Sequence, residues 1–386
     1  MVKLLDYCKI SGKKVDRFTG EKEYVATADV EDNKVHSYKY VDFDNKPSRA
    51  NQIANVNDVG FAAMMNTNKA FLINNINKEY IYSTGFYFLK CNDDLYYKYL
   101  YHFINSEVFN KQKDKFSTGA TMKGINNKNL ELIEIRKIPV IAEQKKISEK
   151  LDLIIKMIIN RKEQLVDLDN FIKSQFVEMF GDPNLNDKYE TQKLITLIKN
   201  KGDLVDGPFG SSVNTKTDYI ENGEIPVIRT VNIKQMEFSP SDLKYMKREK
   251  YETLIRSRVL PGDILLSKVG TIGNVCIFPN DYSEAILSTT GSTRIRIDET
   301  RMNRIFTAYN LLYLKDKLNK IASVGVQPFL NMTHIKNIEL KVPPIEMQNK
   351  FALIVEKIDK QKFIIQQDIK DLEQLYINKT NDYFKI

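Results

Sequence analysis

Two stretches of the chain place hydrophobic residues at alternating steps of four and three. In the first, Ile147, Leu151, Ile154, Ile158, Leu165, Leu168, Ile172 and Met179 mark one helical stripe, with Arg161 and Gln175 at the two remaining seam positions. In the second, Phe351, Val355, Ile358, Ile365, Ile369, Leu372, Tyr376 and Tyr383 do the same, with Lys362 and Lys379 interrupting. A repeat of 3.5 residues sustained over that length predicts a coiled-coil seam. Adding 204 to every seam position of the first stretch lands on a seam position of the second, so the two registers match without a gap. That match predicts helices that pack on each other; the plainer alternative is two amphipathic helices lying on separate cores. The first helix should stop at Gly181-Asp182-Pro183, where glycine suits the cap and proline forbids continuation.

The offset of 204 recurs outside the helices. The motif closing each unit, Ile138-Pro139 … Glu143-Gln144, aligns with Val342-Pro343-Pro344 … Gln348 at 204, and Ser117-Thr118-Gly119 with Ser323-Val324-Gly325 at 206. Ile81-Tyr82-Ser83-Thr84 matches Ile286-Leu287-Ser288-Thr289, and Asp58-Val59 matches Asp263-Ile264, both at 205. Thr27-Ala28-Asp29-Val30 sits against Thr230-Val231-Asn232-Ile233 at 203. Short matches arise by chance, but a near-constant offset does not, and the chain reads as one unit used twice. The expected segments are a globular unit at 1–139, a helix at 140–182, a globular unit at 183–343, and a helix at 344–386.

Within each globular unit, β-rich runs such as Phe86-Tyr87-Phe88-Leu89 and Thr293-Arg294-Ile295-Arg296-Ile297 alternate with turn signals. One helix should follow each sheet-like block, roughly Leu95 to Lys113 and Arg304 to Ala322. This is an α+β pattern with no βαβ rhythm. The aromatic ring around the first of these helices (Tyr96, Tyr97, Tyr99, Leu100, Tyr101, Phe103) fits packing better than a stack for single-stranded nucleic acid.

Composition narrows the function. The chain has 386 residues and a net charge of +8. Lys plus Arg exceeds Asp plus Glu by 21 to 17 in residues 1–139 and by 23 to 18 in residues 183–343, while the two helical segments stand at 7 to 8 and 7 to 7. The whole basic excess therefore lies in the globular units, and any nucleic acid should be bound there. No run of about 18 apolar residues suggests a membrane span. Three scattered cysteines point to a reducing cytoplasm, and with three scattered histidines they exclude a compact metal cluster of the usual spacing.

Direct readout of DNA favours Arg or Lys on guanine and Asn or Gln on adenine. Polar loop candidates in the first unit are Arg49, Asn66, Asn68, Lys69, Thr118 and Lys123. In the second they are Ser212, Asn214, Arg229, Lys268, Thr271, Asn274 and Gln327, joined by Gly207 and Gly210, whose bare backbone could approach a phosphate. The alternative for each is a solvated surface or turn residue. Arg294 and Arg296 should share one face of a strand, which meets either phosphates or only solvent.

The twofold repeat, the closing motif, Phe176-Val177-Glu178-Met179-Phe180-Gly181-Asp182-Pro183 and Gly207-Pro208-Phe209-Gly210-Ser211 together resemble the specificity subunit of type I restriction-modification enzymes. The resemblance covers essentially the whole chain. It implies two target-recognition domains separated by two spacer helices in an antiparallel coiled coil, each domain reading one half of a split double-stranded DNA target. It also implies two modification subunits per chain and restriction motor subunits as partners. S-adenosylmethionine, ATP and Mg²⁺ would belong to those partners, with no cofactor or metal on this chain. The first unit departs by lacking the Gly-Pro-Phe-Gly-Ser insertion, so its recognition loops differ. Independently, antiparallel packing of equivalent helices would relate the two units by a pseudo-twofold axis, which suits two half-sites separated by unread base pairs. A helix from Glu143 to Phe180 would be about 57 Å long, against about 34–36 Å for a turn of B-DNA.

Catalytic signals are weak. An Asn/Asp-Pro-Pro-aromatic loop and a phosphate-binding G-x-x-x-x-G-K-[ST] loop do not occur, and Glu143-Gln144-Lys145 has no upstream Pro-Asp pair of the kind metal-dependent nucleases use and begins a helix. A standalone DNA-modifying enzyme and a coiled-coil adaptor binding proteins are the competing classes.

Overall fold

A computed structural model describes residues 1–120, 123–185, 188–322 and 328–385. The chain forms two compact units, Met1–Gln164 with Ile365–Ile386, and Leu165–Ile364. The first contains a four-stranded antiparallel sheet in the order Ala70–Leu72, Val59–Ala62, Phe86–Cys91, Cys8–Ile10. A five-stranded mixed sheet runs Lys13–Lys14, Ala50–Ile53, Ile81–Ser83, Lys22–Val25, Lys39–Val41, with Ile81–Ser83 parallel to Lys22–Val25.

The second unit repeats this plan. Its antiparallel sheet is ordered Val275–Ile277, Ile264–Ser267, Ser292–Ile295, Leu204–Asp206. Its mixed sheet is ordered Arg258–Val259, Ala285–Leu287, Ile225–Ile228, Lys244–Met246, again with one parallel pair, Ala285–Leu287 beside Ile225–Ile228. The unbroken apolar run Ile264-Leu265-Leu266 is explained by burial on both faces. Ile264 and Leu266 enter the core that also holds Phe306 and Phe351, while Leu265 points the other way, toward Ile228 and Leu287. The repeat in sequence is thus a repeat in topology, and the fold class is α+β.

The helix expected after each sheet block is two helices. Tyr97–Asn105 gives way to Glu107–Lys115 at Ser106, whose extended backbone and side-chain acceptance from the Phe109 amide restart the helix as an N-cap. Arg304–Tyr313 is followed by Lys315–Ile321 in the same manner, without a side-chain cap.

Two helices of 40 residues each, Ile141–Phe180 and Ile345–Phe384, carry the seam residues. Gly181 ends the first in a left-handed conformation (φ +76°), donating to the Val177 carbonyl at 2.8 Å. Inside the first unit the two helices run antiparallel. Arg161 pairs with Asp368 at 3.3 Å and Lys162 with Glu373 at 3.5 Å, while Phe384 closes on Tyr99 and Phe103 with ring centroids 5.0 and 5.5 Å away. They are antiparallel inside the second unit too, where Lys362 pairs with Asp169 at 2.6 Å and Phe176 meets Phe351 at 5.4 Å. Each unit thus owns one end of both helices. Ile147, Leu151, Ile172, Phe351, Val355, Ile358 and Ile369 are buried; Ile154, Ile158, Leu165, Leu168, Met179, Ile365, Leu372, Tyr376 and Tyr383 are half-buried. Phe176, Phe180 and Phe384, off the seam, are fully buried because the helix ends double as walls of the globular cores.

The closing motif has a single structural purpose in both units. Gln144 accepts from the Tyr96 amide at 2.7 Å and donates to the Asp94 and Pro139 carbonyls, both at 2.8 Å. Gln348 accepts from the Asn303 amide at 2.8 Å and donates to the Arg301 and Pro343 carbonyls at 3.1 and 2.7 Å. Both side chains are fully buried. Each site uses one acceptor and two donated hydrogen bonds from a single side chain, which Gln supplies and neither Glu nor Leu can. Gln348→Leu should destabilise the second unit by about 1–3 kcal/mol through its orphaned backbone groups, and Gln348→Glu should be no better. A urea midpoint unchanged in both variants would rule the latch out.

Candidate nucleic-acid interface

The candidates of the first unit converge. The hairpin loop between Val59–Ala62 and Ala70–Leu72 carries Asn66, Asn68 and Lys69, and Thr118 and residues 123–125 lie beside it. Met64 bridges Gly124, Thr118 bridges Gly124, and the Met65 amide donates to the Lys123 carbonyl at 2.9 Å. On the other side the Ala63 amide donates to the Gly85 carbonyl and the Thr84 amide to the Arg49 carbonyl, both at 2.9 Å. Arg49, Asn66, Asn68, Thr118 and Lys123 are exposed along this one rim; Lys69 is half-buried and donates to the Thr27 carbonyl at 2.9 Å.

A residue that sequence reasoning passed over holds the loop. The Lys113 ammonium, 1% exposed, donates to the Met64 carbonyl at 3.1 Å and also to the Thr67 carbonyl. Next to it, Asp114 accepts from the amide of Asn66 at 3.0 Å, fixing the left-handed conformation there (φ +58°). Burial lowers the Lys113 pKa, partly offset by Asp114. In sequence, a lysine near the end of a polar helix reads as surface, which hides this role.

The second unit overturns several expectations. Lys268 is buried, its ammonium 2.6 Å from Asp206, whose other oxygen accepts from Thr293 at 2.6 Å. Asn274 is buried too, donating to the Ile233 carbonyl at 3.1 Å and accepting from Lys315 at 2.7 Å. Both were expected to point outward from a polar loop at a strand end, but their side chains turn inward. Gly207 has no room for a phosphate: a Cβ there would lie 1.9 Å from the Thr289 carbonyl oxygen, so the missing side chain serves internal packing. Arg229 is half-buried and paired with Asp242 at 2.8 Å.

Arg294 and Arg296 do share a strand face, but it is no DNA-facing surface. Their strand is covered by neighbours on both sides, so Arg294 donates to the Arg258 carbonyl at 2.5 Å and to the Gly202 carbonyl. Burial, with Arg296 beside it, pushes its pKa down to about 10. Arg296 grips Asp263 at 2.5 and 2.8 Å.

What remains exposed in the second unit is Gly210, Ser212, Asn214 and Thr271, on the turn Gly210–Ser212, the segment after it, and the 268–274 loop. Gln327, like the Ser323-Val324-Gly325 match, lies outside the described residues. Among the described residues no three metal-ligating side chains converge, and no helix is long and apolar enough to cross a membrane.

The sequence profile of the type I restriction modification DNA specificity domain matches residues 1–168 and again 195–374. The chain belongs to this family. Among curated members, it is 24% identical over 308 residues to the type I restriction enzyme MjaIX specificity subunit of Methanocaldococcus jannaschii, covering 75% of this chain and 69% of that one. The putative MjaX specificity subunit of the same organism is 26% identical over 197 residues, 50% of this chain and 43% of that one. The EcoBI specificity subunit of Escherichia coli is 24% identical over 265 residues, 63% and 55% of the two chains. The chain thus spans between 43% and 69% of the length of these relatives.

Solved structures share the fold. A chain from work on complex assembly and conformational transition of the type I R-M system superimposes with a TM-score of 0.59 at 18% identity, over 99% of this chain and 96% of that one. The type I restriction-modification S subunit from M. genitalium gives 0.54 at 14% identity, over 100% and 96%.

The Lys268–Asp206 pair separates a structural lysine from a DNA-contacting one. Removing one member of a buried pair destabilises by about 3–5 kcal/mol, whereas removing a phosphate contact lowers the salt slope of DNA binding by about 1. Lys268→Ala should therefore lower the melting temperature and leave the salt slope unchanged. A flatter salt dependence at wild-type stability would make Lys268 a DNA contact after all.

Proposed function

We propose that this chain is the DNA-recognition subunit of a type I restriction-modification complex. In this reading, 1–139 and 183–343 are target-recognition domains, each reading one half of a bipartite duplex target. Helices 140–182 and 344–386 form an antiparallel coiled coil, relate the two domains by a pseudo-twofold axis, set the half-site spacing and dock two modification subunits. Adenine N6-methylation and restriction are carried out by partner chains in the cytoplasm, which bring S-adenosylmethionine, ATP and Mg²⁺. This chain supplies recognition and no catalytic group.

The observation that carries the reading is the duplication of one α+β unit, each copy holding one end of both long helices. The basic excess confined to the globular units supports DNA over protein as their ligand. An adaptor built on the same helices would not need that charge placement, and its binding to duplex DNA would lack a steep salt dependence.

Mapping N6-methyladenine across the genome of a strain carrying this gene, and of its deletion, tests the proposal. A split motif methylated in the parent and lost in the deletion is the expected result. Methylation unchanged by deletion, even when the chain is co-expressed with modification subunits, would sink it. The spacing role has its own test. Changing Leu151, Leu165 and Leu168 together to charged residues should abolish methylation of that motif, and full methylation by the triple variant would exclude the coiled coil as spacer.

A further inference from the structure

The two units share a backbone bridge and differ in what it displays. In the first, Met64 of the hairpin loop bridges Gly124; in the second, Val269 bridges Phe329, and both pairs stand at the offset of 205. A Cβ on Gly124 would lie 3.0 Å from the Ala63 carbonyl oxygen, so that position is bare in the first unit. Phe329 instead presents a ring that is 43% exposed, although Leu330 next to it is buried and its amide donates to the Lys268 carbonyl at 3.1 Å.

Phe209 is a second such ring. Gly207 and Pro208 are buried, the former under Thr289, and the chain then turns Phe209 out to 68% exposure. Its carbonyl accepts from the Ser212 amide at 2.8 Å, which steadies the turn. Phe329, Val269 and Thr290 line a recess of 360 Å³ whose polar wall is the Lys268–Asp206 pair. Phe209 follows that wall in the chain, three residues beyond Asp206.

Both rings leave a large apolar surface in water: Phe329 is only partly covered by its own unit and Phe209 is mostly uncovered. Exposed apolar side chains on a DNA-reading rim act as wedges: they open a base step, and the freed base stacks on an aromatic wall. The recess has the volume to take a nucleobase beside the Phe329 ring.

We propose that the second unit engages its half-site by base unstacking, with Phe329 and Phe209 as the wedge and the adjoining recess as the seat of one displaced nucleobase. The first unit, whose equivalent bridge ends in glycine, has no ring to insert at that position. The proposal rests on the DNA-recognition reading above and deepens it. It makes the second half-site sensitive to the deformability of a base step as well as to base edges.

The test uses the complex reconstituted with its modification subunits on its mapped target, with 2-aminopurine placed at successive positions of both half-sites. Wild type should give a fluorescence rise at a position of the second half-site that Phe329→Ala abolishes and Phe209→Ala diminishes. Affinity for that target should fall by roughly ten- to a hundred-fold. Met64→Ala, at the matching bridge of the first unit, should leave every position unchanged. A fluorescence profile identical in wild type and Phe329→Ala overturns the wedge while leaving DNA recognition intact. Loss of modification subunits from the Phe329→Ala complex overturns it too, by making the rings a protein contact. If wild type binds no DNA at all, both readings fall together.

Discussion

A buried primary amide at the first turn of each long helix is the constraint on which the rest of this molecule depends. Gln144 and Gln348 each join three backbone groups from two places: the turn just ahead of the long helix, and the segment that leads into Tyr97–Asn105 or Arg304–Tyr313. A helix of 40 residues is a long lever, and a small error in its starting angle becomes a large displacement at its far end. Hydrogen bonds from a fully enclosed side chain, with no water to compete, fix that angle more firmly than apolar packing, which tolerates sliding. Proline just ahead of each helix adds a backbone that cannot fray into it.

From that fixed start, each unit builds outward to a loop rim held from below. In the first, the Lys113 ammonium satisfies two carbonyls of a hairpin tip; in the second, Lys315 reaches Asn274 at the base of the equivalent hairpin. The supporting lysines come from corresponding helices, Glu107–Lys115 and Lys315–Ile321. In both units the support comes from beneath the hairpin, so the loop's shape does not depend on the side chains it exposes.

Much of this was legible in the sequence, because period and offset survive without knowledge of contacts. The heptads marked the two long helices, and the near-constant offset marked a repeat that sheet order and the paired glutamines bear out. Inward-turning polar residues were not legible. Lys113, Lys268, Asn274 and Arg294 have the composition of surface positions, and only their partners (two carbonyls, Asp206, Lys315, and again two carbonyls) show why each is buried. Gly207 misled for a related reason, since a bare backbone serves a phosphate and a neighbouring carbonyl equally well. The exposure of the first unit's rim was legible because its polar residues lie on a loop tip, where side chains have nowhere to turn but outward.

The division of the helices has a consequence for the order in which the chain can fold. The second unit is continuous, from Leu165 to Ile364, whereas the first is assembled from Met1–Gln164 and the last stretch from Ile365. Until Phe384 arrives against Tyr99 and Phe103, the core of the N-terminal unit lacks a wall. During synthesis, the unit begun first is therefore completed last. It must keep its aromatic face soluble while some two hundred residues emerge and fold between its two pieces, and closing so large a loop adds an entropic cost to its folding alone. Premature termination near the C-terminus would damage the unit encoded at the opposite end of the gene.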